Sequence, residues 1–205
     1  MQLIALGALA YHLASRLAYV SYIWITLGRQ DRTAYLTARH GAEQAFRSFR
    51  RVAALLMYND AASFVLLCVM TRHTLQLPVP PIVLLAVGTV LVLVGVAVKA
   101  WAAATLGAGA YYWRDFFVAA ERPVPATAGP YPFLKNPMYS VGYLPTYGLA
   151  LVTGSLPALI ASAIDQAAIF AFHRWVEEPH VERMLRSSPD SARPPWPDTA
   201  PGRLP

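Results

Sequence analysis

Charged residues are scarce in this sequence: Asp, Glu, Lys and Arg make up 14% of its 205 residues, against about 25% in a typical soluble domain. This scarcity excludes an ordinary soluble domain. Cysteine is almost absent, and the single Cys68 lies in an apolar run, which excludes a disulfide framework and a thiolate metal site. No basic segment opens the chain, so a cleaved signal peptide is not expected. The chain is instead 56% hydrophobic, which predicts an integral membrane protein.

Five apolar segments have about the 20 residues that a helix needs to cross a bilayer. The first contains His12 and Arg16, so it is expected to tilt, to re-enter the membrane or to lie partly in the interface. We predict an all-α helical membrane bundle of about five spans in one domain, residues 1–186. A disordered cytoplasmic tail rich in Pro, Ser and Arg is predicted over 187–205. The predicted spans are 2–27, 52–70, 79–104, 138–154 and 156–176.

Positive charge predicts how these spans are oriented. Arg and Lys are concentrated in the connections 28–51 and 105–137 and in the tail after residue 176. Because such residues are enriched on the cytoplasmic side of membranes, these parts are expected to face the cytoplasm, and the net charge of +6 does not indicate nucleic-acid binding. Residues 138–176 then form a C-terminal helical hairpin that leaves that face and returns to it. Three stretches are expected to converge there: "TLGAGAYYWRDFF" (105–117), "KNPMY" (135–139) and "WVEEPH" (175–180).

Two adjacent carboxylates, Glu177 and Glu178, close the last apolar run. Acidic residues are unexpected there, because the cytoplasmic end of a span favours Lys and Arg and the C-terminal end of a helix is negative. Two interpretations are open. The pair is either a solvated helix end or a site for a cationic group such as an ammonium.

The stretch 105–117 combines glycine with aromatic residues. Gly107 and Gly109 permit close backbone approach, and the aromatic residues are either an interfacial belt or a wall around a sulfonium or quaternary ammonium. Arg114 and Asp115 are either rim residues or contacts to a lipid phosphate and an amine. The aromatic residues are Tyr111, Tyr112, Trp113, Phe116 and Phe117.

Ionisable residues inside spans are functional candidates by default. Arg16 and Asp60 both fall near mid-span, and we interpret them as a structural ion pair, whereas Asp165 has no obvious partner. His173, Glu177 and His180 have the spacing of one helix face. Pro179 is expected to end that helix, however, so no metal site is predicted.

The second half of the chain resembles the membrane methyltransferases that include phosphatidylethanolamine N-methyltransferase and, more distantly, isoprenylcysteine carboxyl methyltransferase. The resemblance rests on "TLGAGAYYWRDFF", "KNPMYSVGYLPTYGLAL" and "VEEPHVERM", in that order. The carboxyl-methylating branch usually has His before the proline of the second motif. Asn136 at that position is closer to the phospholipid branch, as is the lack of a C-terminal "VPR" signature.

The resemblance implies an S-adenosyl-L-methionine (SAM) pocket on the cytoplasmic face. The phospholipid branch has a G-x-G motif in the preceding span, of which Gly95 matches the second glycine while Leu93 occupies the first position. Asp115 and Glu178 are the catalytic candidates for taking a proton from an amine, and Tyr112, Trp113 and Arg114 are the substrate-binding candidates. The implied cofactor-binding residues are Gly95, Gly107, Gly109, Asn136, Pro137, Tyr139, Gly142, Glu177 and Glu178.

The expected function is therefore SAM-dependent methyl transfer to a lipid or other amphiphile, with a phosphatidylethanolamine-type amine as the favoured acceptor. Alternatives are methylation of a thiol, a carboxylate or an isoprenoid, a nicotinamide enzyme similar to sterol reductases, or a non-catalytic membrane scaffold. The Arg-rich and Ala-rich composition favours a bacterial cytoplasmic membrane, and the oligomeric state stays open.

Overall fold

The structure is a computed structural model that describes residues 2–118 and 128–186. Within these residues the chain is helical and forms no strand, as predicted. The predicted tail, 187–205, lies outside the described residues. Short 3₁₀ helices cover Arg114–Phe116 and Val141–Tyr143, and a π-helical turn covers His173–Glu177. The α-helices are α1 Gln2–Thr33, α2 Tyr35–His40, α3 Ala42–Met70, α4 Pro81–Tyr111, α5 Leu144–Thr153, α6 Leu156–Phe172 and α7 Glu178–Arg186.

Four helical stretches in the described part of the chain are long and apolar enough to cross a membrane: Gln2–Thr33, Ala42–Met70, Pro81–Gly107 and Leu156–Arg186. The predicted fifth span, 138–154, does not form one continuous helix of membrane-crossing length. Its helix α5 has only ten residues, or about 15 Å at 1.5 Å per residue, against a hydrocarbon core of about 30 Å. The residues before it form turns instead, because three prolines and two residues with positive φ interrupt 129–137.

The two ends of the bundle are identified by contacts between distant segments. At one end, Thr71 at the end of α3 shares a hydrogen bond of 2.6 Å with Ser155 at the start of α6. At the other end, Gln30 of α1 donates to the Phe116 carbonyl at 3.3 Å, and Tyr139 donates to Glu177 at 3.0 Å. We call this second end the site rim. It brings together the three stretches that the sequence predicts to converge.

Small residues bring α4 and α5 into close antiparallel contact. A Cβ atom on Gly148 would lie 2.5 Å from the Gly88 carbonyl oxygen, and one on Gly95 would lie 2.3 Å from Pro145 Cδ. Helices in membranes associate through such small residues because their backbones can approach closely. Gly95 therefore has a packing role in α4, whatever it contributes to a ligand site.

A buried charge network links α1, α3 and α6. Arg16 pairs with Asp60 at 2.7 Å, which confirms the ion pair expected from the sequence. It also pairs with Asp165 at 2.9 Å, and Asp165 lies 3.1 Å from His12. The interpretation that Asp165 lacks a partner is therefore wrong. Both partners belong to α1, which crosses the bundle as one continuous helix despite its two polar residues.

Two predicted helix boundaries also differ. The span predicted from residue 138 has no helix start there, because Asn136 has φ of +50° and Pro137 lies in a turn; α5 begins at Leu144, with Pro145 in its first turn. Pro179 does not end the last helix either. It lies directly after the π-helical turn, within the continuous helical stretch Leu156–Arg186.

Candidate active site

The loop 128–143 enters the bundle below the site rim. Gly129, at φ of +62°, packs against Thr105, where a Cβ would lie 2.2 Å from the hydroxyl oxygen. Asn136 adopts the left-handed conformation that Asn tolerates better than most residues. Its carbonyl accepts the backbone N–H groups of Tyr139 and Ser140, both at 3.0 Å. This turn directs the Asn136 and Tyr139 side chains towards the end of α6.

Four side chains form a continuous hydrogen-bonded cluster there. Asn136 Nδ2 lies 2.8 Å from His173 Nε2, and the opposite ring nitrogen, Nδ1, donates to Glu177 Oε2 at 3.0 Å. The Tyr139 hydroxyl donates to the same carboxylate oxygen at 3.0 Å. Burial and the neighbouring Glu177 raise the pKa of Tyr139 well above its usual value, which keeps this phenol a donor. Glu177 is thereby oriented by two donors.

His173 and Glu177 are four residues apart on one helix face, in a π-helical turn, so one helix supplies two members of this cluster. A π turn widens the helix by one residue, and such turns are frequent at functional sites. His173 and Glu177 both face the loop, whereas Arg174 points outwards and is largely exposed. No sequence pattern predicted this local widening.

Tyr131 is a fifth polar residue beside the cluster. Its hydroxyl is buried without a hydrogen-bond partner in the described part of the chain. Burial, and secondly the charge of Glu177, raise the pKa of Tyr131 to about 12. An unsatisfied buried hydroxyl is costly, so this oxygen is available to a ligand held against Glu177.

Next to the cluster lies a cavity of about 260 Å³ between α1, α3, α4 and α5. Of the predicted site residues, Tyr112, Trp113, Tyr139 and Gly142 line it. Its wall is mainly aromatic and apolar, with three charged exceptions: Arg16, Asp60 and Lys99. The other lining residues are Tyr19, Ala53, Met57, Ala61, Phe64, Val65, Tyr111, Met138, Tyr143, Pro145, Thr146, Leu149 and Ile169.

The two predicted catalytic carboxylates do not line this cavity. Glu178 faces away from Glu177 and pairs with Arg174 at 3.0 Å on an exposed surface. Asp115 lies 3.5 Å from His180 Nε2, and the opposite ring nitrogen lies 2.7 Å from Asp31. The adjacent glutamates therefore occupy two different environments, and their roles stay predictions.

The predicted substrate-binding residues also separate. Trp113, held at φ of +56°, is buried against Phe172 with ring centroids 5.3 Å apart, and with Tyr112 it lines the cavity. Arg114 instead pairs with Glu43 and lies over the Phe46 ring, so it is part of the rim rather than of the cavity wall.

Each predicted glycine occupies a position with its own structural environment. Gly107 interrupts α4 at φ of +77°, a conformation that favours glycine. Gly109 lies beside Arg114, and Gly142 lies against the Pro137 carbonyl, which a Cβ would approach to 3.0 Å. Pro137 itself is fully buried beneath the loop. Of these four residues, only Gly142 lines the cavity.

Sequence reasoning missed Lys99, Tyr131 and Tyr143 as site residues. Lys99 carried a usable signal, since it is a charged residue inside the apolar segment 79–104. Tyr143 carries no such sequence signal, because its contact with Arg16, at 3.1 Å, joins residues 127 positions apart. In the described residues no group of three or more His, Cys, Asp or Glu side chains has a geometry suited to a metal ion.

The fold and this site define the class as an integral-membrane helical protein with a polar site and a cavity at one end of the bundle. Residues 83–188, more than half of the chain, match the model of the phospholipid methyltransferase family. The chain belongs to that family.

Individual relatives agree with this assignment. The chain is 35% identical over 157 residues to a phosphatidylethanolamine N-methyltransferase of Aspergillus terreus, covering 74% of this chain and 16% of the relative. It is 35% identical over 150 residues to that of Penicillium rubens, covering 71% and 15%. The chain thus spans about one sixth of the length of these relatives, which are fungal and lend no support to the bacterial membrane predicted from composition. No solved structure matches the chain.

Proposed function

We propose that this protein transfers a methyl group from SAM to the amine of a phosphatidylethanolamine-type lipid. The observation that carries the proposal is the cluster of Asn136, Tyr139, His173 and Glu177 beside an aromatic cavity, in a chain of the phospholipid methyltransferase family. The acceptor named in the relatives is phosphatidylethanolamine.

The residues present fit SAM at the polar end of the site. Glu177, oriented by Tyr139 and His173, offers a carboxylate to the ammonium of the methionine part, and the unpartnered Tyr131 hydroxyl adds a hydrogen bond. Trp113 and Tyr112 offer aromatic faces to a sulfonium. SAM supplies a methyl group already activated by its positive sulfur, so the chain needs mainly to align donor and acceptor and exclude water.

The acceptor side follows from charge and access. The acceptor in its ammonium form would have to lose a proton before its nitrogen lone pair could form the N–C bond, and SAM, when bound, would supply the methyl group and leave as a neutral thioether. Asp115 and Glu178 stay our candidates for receiving the proton. Since neither lines the cavity, the proton would travel to them through water. The arginines of the first connection, 28–51, support a cytoplasmic location for the site rim.

Ligand-dependent thermal stability tests the donor site. S-adenosylhomocysteine, the product of the donor, is expected to raise the Tm of the purified protein in detergent. At 100 times its Kd it should raise the free energy of unfolding by about 2.7 kcal/mol. Glu177→Gln should abolish this shift. Glu182→Gln, an exposed glutamate on the same helical stretch, is the matched control and should keep it.

Methyl transfer tests the acceptor. With labelled SAM and a total lipid extract, label is expected in phosphatidylethanolamine and its methylated products. Label in a thiol, a carboxylate or an isoprenoid would replace the acceptor named above. No label anywhere, together with no stabilisation by S-adenosylhomocysteine, would overturn the proposed function and favour a nicotinamide enzyme or a non-catalytic scaffold.

A further inference from the structure

Lys99 is an unexplained charge in the cavity wall. Its side chain starts next to Gly142, and its Nζ lies 5.9 Å from the centre of the Tyr143 ring. Within residues 2–118 and 128–186 it forms no ion pair with a carboxylate. The other cation of the cavity, Arg16, differs in this respect because Asp60 and Asp165 compensate its charge.

Lys99 lies in the half of α4 that is nearer the site rim. It lies 18 residues after Pro81, the first residue of the helix, which corresponds to about 27 Å of helix. The hydrocarbon core of a bilayer is about 30 Å thick. Phospholipid phosphates lie just outside that core, so a headgroup that reaches Lys99 would enter the cavity from the side of the site rim.

The cavity also has exposed lining residues on α3. Ala61 and Val65 of α3 line it and are themselves exposed, Val65 by 48%. α4 packs mainly on α5 and α3 mainly on α1, so this exposed side lies between two helix pairs. Ala61 and Val65 lie towards the end of α3 away from the site rim, so this exposed side suits the acyl chains of a lipid whose headgroup lies nearer Lys99.

We propose that Lys99 binds the phosphate diester of the phospholipid acceptor inside this cavity. This inference rests on the proposed function, since it concerns the acceptor of the same site. Fixing the phosphate also fixes the amine, which is only two carbons away, near Tyr139 and Trp113 at the polar end. Arg114, for which the sequence suggested a phosphate contact, is held by Glu43 at the rim instead.

The experiment compares two acceptors in mixed micelles: phosphatidylethanolamine, and a long-chain alkyl amine that lacks phosphate. Lys99→Gln is expected to raise the KM for the phospholipid by about 10- to 100-fold, the usual effect of losing a hydrogen bond to a charged group. The KM for the alkyl amine should change less than twofold, and Lys99→Arg should retain phospholipid use. Lys135→Gln, which replaces an exposed lysine outside the cavity, is the matched control and should behave like the unmodified protein.

A second readout does not need catalysis. Native mass spectrometry of the purified protein is expected to show retained phosphatidylethanolamine, reduced in Lys99→Gln, while retention of diacylglycerol stays the same. If the unmodified protein transfers no methyl group, the proposed function fails but this lipid-binding comparison still decides the role of Lys99.

Three results would overturn the inference. The first is an equal rise in KM for both acceptors, and the second is an equal loss of both retained lipids. Either result would indicate a general structural role for Lys99, such as a side chain that only extends its ammonium to the membrane–water interface. The third is displacement of phosphatidylethanolamine by millimolar inorganic phosphate, which would indicate a site for free phosphate rather than for a lipid headgroup.

Discussion

The buried charge network makes a strong prediction about stability, which we develop for Asp165. Its side chain is fully buried, lies 3.1 Å from His12 and accepts a hydrogen bond of 3.0 Å from Arg16. Asp165→Asn keeps the size of the side chain but removes the charge that compensates Arg16. Removing one partner of a buried ion pair typically costs about 3 to 5 kcal/mol. Because Arg16 keeps Asp60 at 2.7 Å, we expect the lower end of this range, about 3 kcal/mol.

The measurement is the free energy of unfolding by SDS in mixed micelles, followed by tryptophan fluorescence and far-ultraviolet circular dichroism. Glu182→Gln is a suitable control because this side chain is exposed. The double variant Arg16→Met/Asp165→Asn should lose about 1 to 3 kcal/mol less than the sum of the two single changes, since the Arg16–Asp165 pair is then removed as a whole, while Asp60 loses Arg16 in the double variant as it does in Arg16→Met alone. A cost below about 1 kcal/mol for Asp165→Asn, or strict additivity in the double variant, would refute this reasoning.

Two further predictions concern helix packing and proton transfer. Gly148→Ala should destabilise the protein by about 1 to 3 kcal/mol, because its Cβ would lie 2.5 Å from the Gly88 carbonyl oxygen. Gly28→Ala is the control: the new methyl group has open space around it, so it should not destabilise the protein in the same SDS titration. The candidate proton acceptors are tested with Asp115→Asn and Glu178→Gln. Changing the residue that receives the proton should lower kcat by about 100-fold or more, without altering stabilisation by S-adenosylhomocysteine. A double variant that keeps the original kcat would exclude both.

Local sequence signals predicted the parts of this molecule that depend on composition and on chain order. Apolar runs predicted the long helices, and the alternation of arginine-rich connections predicted that 105–117, Tyr139 and Glu177 meet at one end of the bundle. The ion pair between Arg16 and Asp60 was also predictable, because two opposite charges at similar depth in neighbouring spans have few other partners.

The remaining features depend on conformation or on distant contacts. Asp165 finds His12 and Arg16 at sequence separations of 153 and 149 residues, which no local pattern encodes. The apolar composition of 138–154 is the same whether the segment forms one long helix or, as here, a loop and a short helix. Asn136 is favourable both as a helix cap and in the left-handed conformation, and the structure has the second.

Because α5 is short, the backbone of the loop before it needs hydrogen-bond partners within the protein, and one side chain of α6 supplies them. Non-helical backbone at membrane depth is tolerated only where protein satisfies its polar groups. Gln166 provides this, because its Nε2 donates to the Tyr139 carbonyl at 2.9 Å, while its Oε1 accepts from Tyr147 at 2.7 Å. Gln166 directly follows Asp165, which is held by Arg16 from the other side. Two consecutive residues of α6 therefore connect the buried charge network to the loop that supplies Tyr139, so a change in that network should also alter the geometry of the candidate site.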